Sequence, residues 1–182
     1  MRVFIAIDLP DHVRRELEAL QNALPAGRSV PVENLHLTLS FLGDQQELAV
    51  EDAHEALATI RASAFEVQLT GVGSFGHRSP QVIFADVERC SELLDLEQRI
   101  KLSLRHEGLE FQKRRFRPHV TLASLPMTLS SLDWDSLRGD LEEHAPFRGT
   151  SFRVTSFQLY QSTLAPEAAL HDILASYPFA DT

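Results

Sequence analysis

The chain has 182 residues, of which 43% are hydrophobic and 24% are charged, and its formal net charge is −9. These fractions are typical of a globular protein, and the length is sufficient for one domain, residues 1–182, with a substantial hydrophobic core. The acidic balance opposes binding to an extended nucleic acid duplex, because Lys and Arg at the phosphates drive such binding. A small phosphorylated ligand, or one end of an RNA, is a better match for a local site.

The apolar stretches are too short for a membrane or secretory segment. None approaches the roughly 20 residues that span a bilayer, and the amino-terminal apolar run ends in a charge at Asp8. The single cysteine, Cys90, excludes an internal disulfide and a Cys-based metal cluster. We therefore expect a cytoplasmic protein without membrane contact, and we expect it to be a monomer.

Strand and helix patterns alternate along the chain. Apolar runs and alternating polarity predict strands at 2–8, 35–42, 65–75, 81–87, 119–125 and 147–162. Helical spacing predicts helices at 10–24, from a turn at Gly43-Asp44 to about 63, at 91–106, and from about 131 to 144, the last with Ser130 or Ser131 as N-cap. The segment 169–179 fits a strand or a short helix. No glycine-rich phosphate loop follows a strand, which excludes Rossmann and P-loop folds.

Two predicted strands carry a histidine two residues before a threonine. The segment "NLHLTLSF" contains His36 and Thr38, and "RPHVTLAS" contains His119 and Thr121, 83 positions later. Because side chains alternate along a strand, each His and Thr share one face while the apolar residues share the other. A solvated face would favour Lys, Glu or Gln, so this pattern indicates a site.

The same alternation makes predictions for Ser40 and Phe41, which follow the motif in the first strand. It places Ser40 on the face of His36, but Ala123 stands at the corresponding place in the second strand, so Ser40 is not a site candidate. It places Phe41 on the apolar face, and we therefore predict Phe41 as a core residue.

Two imidazoles on separate strands can act as an acid and a base, because histidine titrates near neutral pH. In-line displacement at phosphorus needs a base at the attacking oxygen and an acid at the leaving oxygen, and hydroxyl groups can bind the remaining oxygens. A metal site is a weaker alternative, because threonine is a poor ligand and no second histidine or carboxylate follows at close spacing. A Ser-His-Asp triad is disfavoured, because no GxSxG turn occurs.

The two motifs lie within a sequence that resembles the two-histidine (2H) phosphoesterases, in particular the RNA 2',3'-cyclic phosphodiesterases, once named 2'-5' RNA ligases. The resemblance runs nearly end to end, through "RVFIAIDLP", "NLHLTLSFLG", "GVGSFGHRSPQVIFADV", "FRPHVTLAS" and "FRVTSFQLYQSTLAP". It implies an α+β fold that is bilobal. Two pseudo-symmetric lobes of antiparallel β-sheet would be flanked by helices, with the active-site groove between the lobes.

The resemblance also implies a reaction, the metal-independent hydrolysis of RNA ends or nucleotides bearing a 2',3'-cyclic phosphate to a 2'-phosphomonoester. No cofactor is implied. By position in the family pattern, His36 would be the proton donor to the departing 3'-oxygen and His119 the proton acceptor that activates water. Thr38 and Thr121 would hold the phosphate. Net 2'-5' RNA ligation would be the reverse chemistry of the same site.

Three positions depart from the family pattern. The second motif commonly continues to an Arg where this chain has Ser124, so the cation would come from elsewhere. Ser29 and His171 stand where family members often carry Trp and Tyr, which leaves the base-stacking residues undefined. We assign Arg117 to the substrate as the first of the basic candidates before the second motif, which are Lys113, Arg114, Arg115 and Arg117.

The other six histidines lie in predicted helices, loops or the ambiguous carboxy-terminal segment, and we predict surface or structural roles for them. They are His12, His54, His77, His106, His144 and His171.

A binding module is the alternative from another functional class. Such a module would capture nucleotide 2'-phosphates or cyclic phosphates with little turnover. The intact histidine pair argues against it, because arginine is better suited to phosphate capture.

Overall fold

Helices and antiparallel strands interleave along the chain, as the sequence predicts. The computed structural model describes residues 1–24, 27–76, 81–109, 111, 115–126, 130–165 and 169–180. In chain order, the elements are β1 (Arg2–Asp8), α1 (Asp11–Ala23), β2 (Arg28–Ser29), a 3₁₀ turn (Val32–Asn34), β3 (His36–Asp44), α2 (Glu47–Ala58), β4 (Phe65–Val67), β5 (Leu69–Phe75), β6 (Val82–Val87), α3 (Ser91–His106), β7 (His119–Ser124), α4 (Ser131–His144), β8 (Phe152–Val154), β9 (Ser156–Thr163) and β10 (Leu170–Pro178).

The larger sheet has two lobes that meet at the two motif strands. Its strand order is β10-β9-β1-β3-β7-β6-β5, with β2 paired to β7, and β4 and β8 form a separate two-stranded sheet. Strands β3 and β7 share one register pair, Leu37 opposite Val120. Each motif strand therefore lies at the inner side of its own antiparallel lobe, which confirms the predicted bilobal α+β fold.

One continuous core lies between the sheets and the helices. In α1 it includes Val13, Leu17 and Leu20, whose spacing predicted the helix, and in the motif strands it includes Leu37 and Val120. Full burial of each large aliphatic side chain stabilises the fold by about 1.5–3 kcal/mol. A small second cluster lies outside this core and consists of Phe4, Ala6 and Tyr160. No helix in the described part of the chain is long and apolar enough to cross a membrane.

Several element boundaries differ from the sequence prediction. The predicted strand at 65–75 is divided at Gln68 and that at 147–162 at Thr155, because β4 and β8 pair with each other while β5 and β9 join the larger sheet. Gly43 and Asp44 extend β3 instead of turning, so α2 is shorter than predicted. The ambiguous segment 169–179 forms the strand β10. Ser130 is the N-cap of α4 and accepts a hydrogen bond from the Asp133 amide at 3.1 Å.

Strand β3 contains a β-bulge just after its motif. Consecutive residues of β1 pair with Thr38 and Ser40, so Leu39 has no partner in the ladder. Leu39 and Ser40 are both buried, and Phe41 emerges with 58% of its surface exposed. The predictions of Phe41 as a core residue and of Ser40 on the face of His36 are therefore wrong, because both assumed an uninterrupted alternation.

Strand β7 contains the same bulge at the equivalent place. Consecutive residues of β6 pair with Thr121 and Ala123, and Leu122 is skipped. Leu122 and Ala123 are buried, and Ser124 is exposed. Ser124 therefore occupies in β7 the place that Phe41 occupies in β3, and the bulges extend the pseudo-symmetry of the motifs by three residues.

Candidate active site

The two motif histidines make the same backbone hydrogen bond. His36 Nδ1 lies 2.7 Å from the carbonyl oxygen of Asn34, and His119 Nδ1 lies 2.7 Å from that of Arg117. Since a carbonyl oxygen can only accept, Nδ1 carries the hydrogen in both rings. The arrangement leaves Nε2 of each imidazole as the nitrogen available for proton exchange.

His36 is packed among aromatic rings. Its ring stacks on Phe4 with 4.8 Å between centroids, and Phe4 stacks in turn on Tyr160 at 5.1 Å. The ring of His171 lies edge-on to His36 at 5.3 Å. Burial lowers the pKa of His36 from its ordinary value of 6.5 to about 4, and positive charge on His171 or His119 lowers it further. His36 is therefore neutral at pH 7 in the free protein.

The neighbours of His119 are arranged differently. Phe75 and Phe84 lie edge-on to its ring, with centroids at 4.8 and 5.5 Å. Burial lowers the pKa of His119, the charge of Arg117 lowers it further, and the carboxylate of Asp86 opposes both effects. Both histidines are thus biased towards the neutral form, His36 through stacking in a tightly packed cluster and His119 within a partly charged surrounding.

Arg117 lies beside His119. Its guanidinium is 3.3 Å from the carboxylate of Asp86 and covers the rings of Phe84 and Phe75 at 4.7 and 5.2 Å. The side chain is partly exposed. Of the other basic candidates, Arg115 is exposed, while Lys113 and Arg114 lie outside the described residues.

A cavity of about 420 Å³ joins the two motif strands. His119 does not line this cavity, whereas Thr121, two residues later in β7, does. Both motif threonines, which are partly exposed, contribute to its wall. The lining residues from β3 and β7 are His36, Thr38, Phe41, Thr121 and Ser124.

Three residues that line the cavity were not predicted as site residues from the sequence. His171 on β10 lines the cavity, and its Nδ1 is buried without a hydrogen-bond partner in the part of the chain that the structure describes. The alternation of side chains within 169–179 could have indicated that this segment is a strand, but nothing in the sequence indicates which strand the segment pairs with. Arg2 and Arg28 also line the cavity. Arg2 is the first residue of β1, and Arg28 lies between the predicted helix 10–24 and the predicted strand 35–42.

Three of the remaining histidines make local or structural hydrogen bonds, as predicted. His54 Nδ1 lies 2.9 Å from the Tyr177 hydroxyl, and His144 Nδ1 lies 2.8 Å from the Asp140 carbonyl oxygen. His106 is exposed at the end of α3, next to Glu107. His12 is also exposed, and His77 lies outside the described residues.

Tyr160, a buried residue with a hydroxyl group, lies close to His36. The carboxylate of Asp8, which forms an ion pair with Arg14, lies near Tyr160. Burial raises the pKa of Tyr160 to about 12, so its hydroxyl keeps its proton. Within the described ranges, no group of three or more His, Cys, Asp or Glu side chains could hold a metal ion.

Comparison with known proteins identifies the family. Residues 9–165 match the model of the 2'-5' RNA ligase superfamily. An RNA 2',3'-cyclic phosphodiesterase of Thermotoga maritima is 30% identical, over 98% of this chain and 96% of that protein.

Two solved structures share the fold over nearly their full lengths. TT0787 of Thermus thermophilus has a TM-score of 0.81 at 26% identity, covering 98% of each chain. Escherichia coli LigT complexed with 3'-AMP has a TM-score of 0.80 at 26% identity, covering 98% of this chain and 97% of that chain. The chain therefore belongs to the 2'-5' RNA ligase superfamily, the two-histidine phosphoesterases that its motifs resemble.

Proposed function

We propose that the protein hydrolyses 2',3'-cyclic phosphates at RNA ends or on nucleotides to 2'-phosphomonoesters, without a metal. The observation that carries the proposal is the matched pair of imidazoles. Each has Nδ1 held by the carbonyl two residues earlier, and each has Nε2 left for proton transfer. The name of the Thermotoga maritima relative supports the choice of substrate.

The proposed reaction is one in-line displacement at phosphorus. His119 Nε2 takes a proton from water as the water oxygen forms its bond to phosphorus. The bond from phosphorus to the 3'-oxygen breaks, and protonated His36 Nε2 gives its proton to that oxygen. The products are a 2'-phosphomonoester and a free 3'-hydroxyl, and the catalytic protons are balanced when the two histidines exchange protons with solvent.

The substrate itself would supply the protonation state that the acid needs. An anionic phosphate beside His36 raises its pKa, in opposition to the burial that lowers it in the free protein. The hydroxyls of Thr38 and Thr121 would donate to the non-bridging oxygens. Arg117 would contribute positive charge from the His119 side of the phosphate.

A 5'-hydroxyl could take the place of water as the nucleophile, and the product would then be a 2'-5' RNA linkage. We propose that this ligation chemistry uses the same residues. We also propose that the protein acts as a cytoplasmic monomer on RNA ends rather than on extended duplex, because its net charge of −9 disfavours a long phosphate interface. Size-exclusion chromatography would test the monomer, and competition by duplex RNA would test the preference for RNA ends.

The decisive experiment measures turnover of 2',3'-cyclic AMP in the presence of EDTA, with the product identified by phosphorus NMR. We expect many turnovers to 2'-AMP, and we expect His36→Ala and His119→Ala each to abolish them. His106→Ala removes an exposed histidine and should retain full activity, so it is the matched control. Loss of activity in EDTA, or activity in either motif variant equal to the control, would contradict the mechanism.

The same experiment separates the enzyme from a binding module. A module would bind 2',3'-cyclic AMP stoichiometrically and release it unchanged. His36→Ala and His119→Ala would then retain much of the binding affinity.

A further inference from the structure

We propose that Arg28 is a substrate-binding residue that contacts the phosphate in the cavity. The proposal deepens the proposed function and rests on it for the identity of the substrate. In the sequence, Arg28 lies between the predicted helix 10–24 and the predicted strand 35–42, 8 positions before His36. The structure places it on β2, a two-residue strand attached to β7.

The register of β2 brings Arg28 next to the second motif. Arg28 lies directly opposite Ser124, and Ser29 lies opposite Ala123. Directly opposite residues of an antiparallel pair project from the same face, with Cβ atoms about 4.5–5.5 Å apart. Arg28, Ser124 and Thr121 line the same cavity. The guanidinium thus extends from the sheet face that presents one of the proposed phosphate-binding hydroxyls.

The backbone of β2 is held tightly at this place. Gly27 has a φ of 73°, and a Cβ at Gly27 would lie 2.3 Å from the carbonyl oxygen of Ser124. The side-chain amide of the buried Gln21 donates to the carbonyls of Val30 at 2.8 Å and Leu122 at 2.7 Å. Gln21 therefore links α1, the segment after β2 and the bulge of β7, which fixes the position from which Arg28 extends.

Two acidic residues near the site form ion pairs with arginines other than Arg28. Arg14 is ion-paired with Asp8, and Arg117 is ion-paired with Asp86. Arg28 makes no ion pair with any residue in the described ranges, and its side chain is exposed to the cavity.

Arg2 also lines the cavity, but its register partner in β3 is the carboxylate-bearing Asp44. The two hydroxyls carry no charge and Arg117 is already paired with Asp86, whereas the guanidinium of Arg28 can bind two phosphate oxygens at once. Arg28 is the cation that the fold places beside Thr121 for this purpose.

The test compares Arg28→Ala with three variants in hydrolysis of 2',3'-cyclic AMP. We expect Arg28→Ala to lower kcat/KM by about ten- to hundredfold, mainly through a higher KM, because the contact exists already in the bound ground state. Arg28→Lys should recover part of the loss. Arg28→Ala combined with Ser124→Arg should recover most of it, because the new guanidinium extends from the opposite residue. Arg153→Ala, which removes an exposed arginine from the small sheet, should leave the kinetics unchanged.

A second measurement does not depend on turnover. Titration calorimetry with inorganic phosphate should show an affinity at least about tenfold lower for Arg28→Ala than for the wild type and Arg153→Ala. A wild-type KM and phosphate affinity in Arg28→Ala would overturn the assignment of Arg28, while inactive His36→Ala and His119→Ala would leave the proposed function intact. A loss that neither Arg28→Lys nor the double variant reverses would also overturn it, since that result indicates a structural effect.

If the wild type does not hydrolyse 2',3'-cyclic AMP, the proposed function fails, and the titration with inorganic phosphate alone decides whether Arg28 binds an anion. Equal affinity of the wild type and Arg28→Ala for phosphate would then overturn the proposal.

Discussion

Leu39 and Leu122 occupy the same place in the two motif strands. Each is the third residue after its histidine, and each is skipped by the ladder of the neighbouring strand. Both side chains are buried, at 3% and 1% exposure. The bulge is therefore part of the repeated unit, and it decides which residues after the motif reach the cavity.

The bulge in β3 predicts a large loss of stability for one of two nearby substitutions and a small loss for the other. Leu39→Ala should lower the free energy of unfolding by about 2–5 kcal/mol, because it leaves a cavity in the core. Phe41→Ala should cost less than about 1 kcal/mol, because the ring is mostly exposed. Urea unfolding of both variants measures the difference. Equal and large losses would mean that Leu39 and Phe41 share the core face, as in a strand without a bulge.

The low pKa of His36 should appear both in its titration and in the stability of the fold. In a proton NMR titration, His36 should stay neutral until the pH approaches 4. Because the unfolded chain binds this proton near pH 6.5 and the folded chain does not, stability should fall as the pH drops from about 6.5 to 4. The contribution is on the order of 3 kcal/mol, and His36→Gln should lack it. A His36 titration midpoint near 6.5 would contradict the prediction.

The pH dependence of hydrolysis follows from the two proposed roles. The value of kcat/KM reports the free protein, where the pKa values of His36 and His119 are both lowered. We therefore expect a bell-shaped profile with its maximum below about pH 6.5, and a fall as the pH rises through neutrality. The maximum of kcat should lie at higher pH, because the bound phosphate raises both pKa values.

A control for that profile is needed because other charged groups face the two histidines. His171 and Arg14 act on His36, and Asp86 and Arg117 act on His119. His171→Phe removes one further titrating ring from the cavity and should keep the bell shape. A flat profile between pH 5 and 9 in the wild type would contradict the acid-base pair.

Gly27 provides a separate test of how β2 is held. Gly27→Ala should destabilise the fold by at least about 1 kcal/mol, because it combines a positive φ with a close approach to the Ser124 carbonyl. It should also weaken inorganic phosphate binding, since β2 must shift to relieve the clash. Gly139→Ala is the matched control, because a Cβ there has open space. Unchanged stability of Gly27→Ala would show that β2 can move away from β7 at little cost.

Local patterns predict those parts of the fold that local forces determine. The bounds of β1 and α3 agree with the sequence, since a short apolar run or a broad apolar helix face has one low-energy solution in each case. The two motif histidines were identified because their polar side chains interrupt apolar strands. The bulges were missed, because an extra residue in a ladder depends on the neighbouring strand and leaves no period in the sequence.

The missed cavity residues share a physical cause. Arg28 and His171 reach the site only through pairing, with β7 in one case and with β9 in the other. The partners of β2 and β10 are distant in sequence, and such pairings carry no local signal. The prediction that Arg117 contacts the substrate remains a prediction, and its ion pair with Asp86 places it on the His119 side of the site.

The single register pair between Leu37 and Val120 has a consequence for how this site can be altered. Each lobe presents its own motif strand, bulge and aromatic neighbours, and little backbone bonding ties one set to the other. Each half of the site is therefore a separate unit. The two His-x-Thr motifs mark where the site lies, but they are alike and do not distinguish one histidine from the other. The two rings differ instead in their neighbours, which are Phe4, Tyr160 and His171 around His36 and Phe75, Phe84 and Arg117 around His119. Under the proposed roles, exchanging these neighbours between the two lobes, with both motifs left intact, should exchange the proton donor and the proton acceptor.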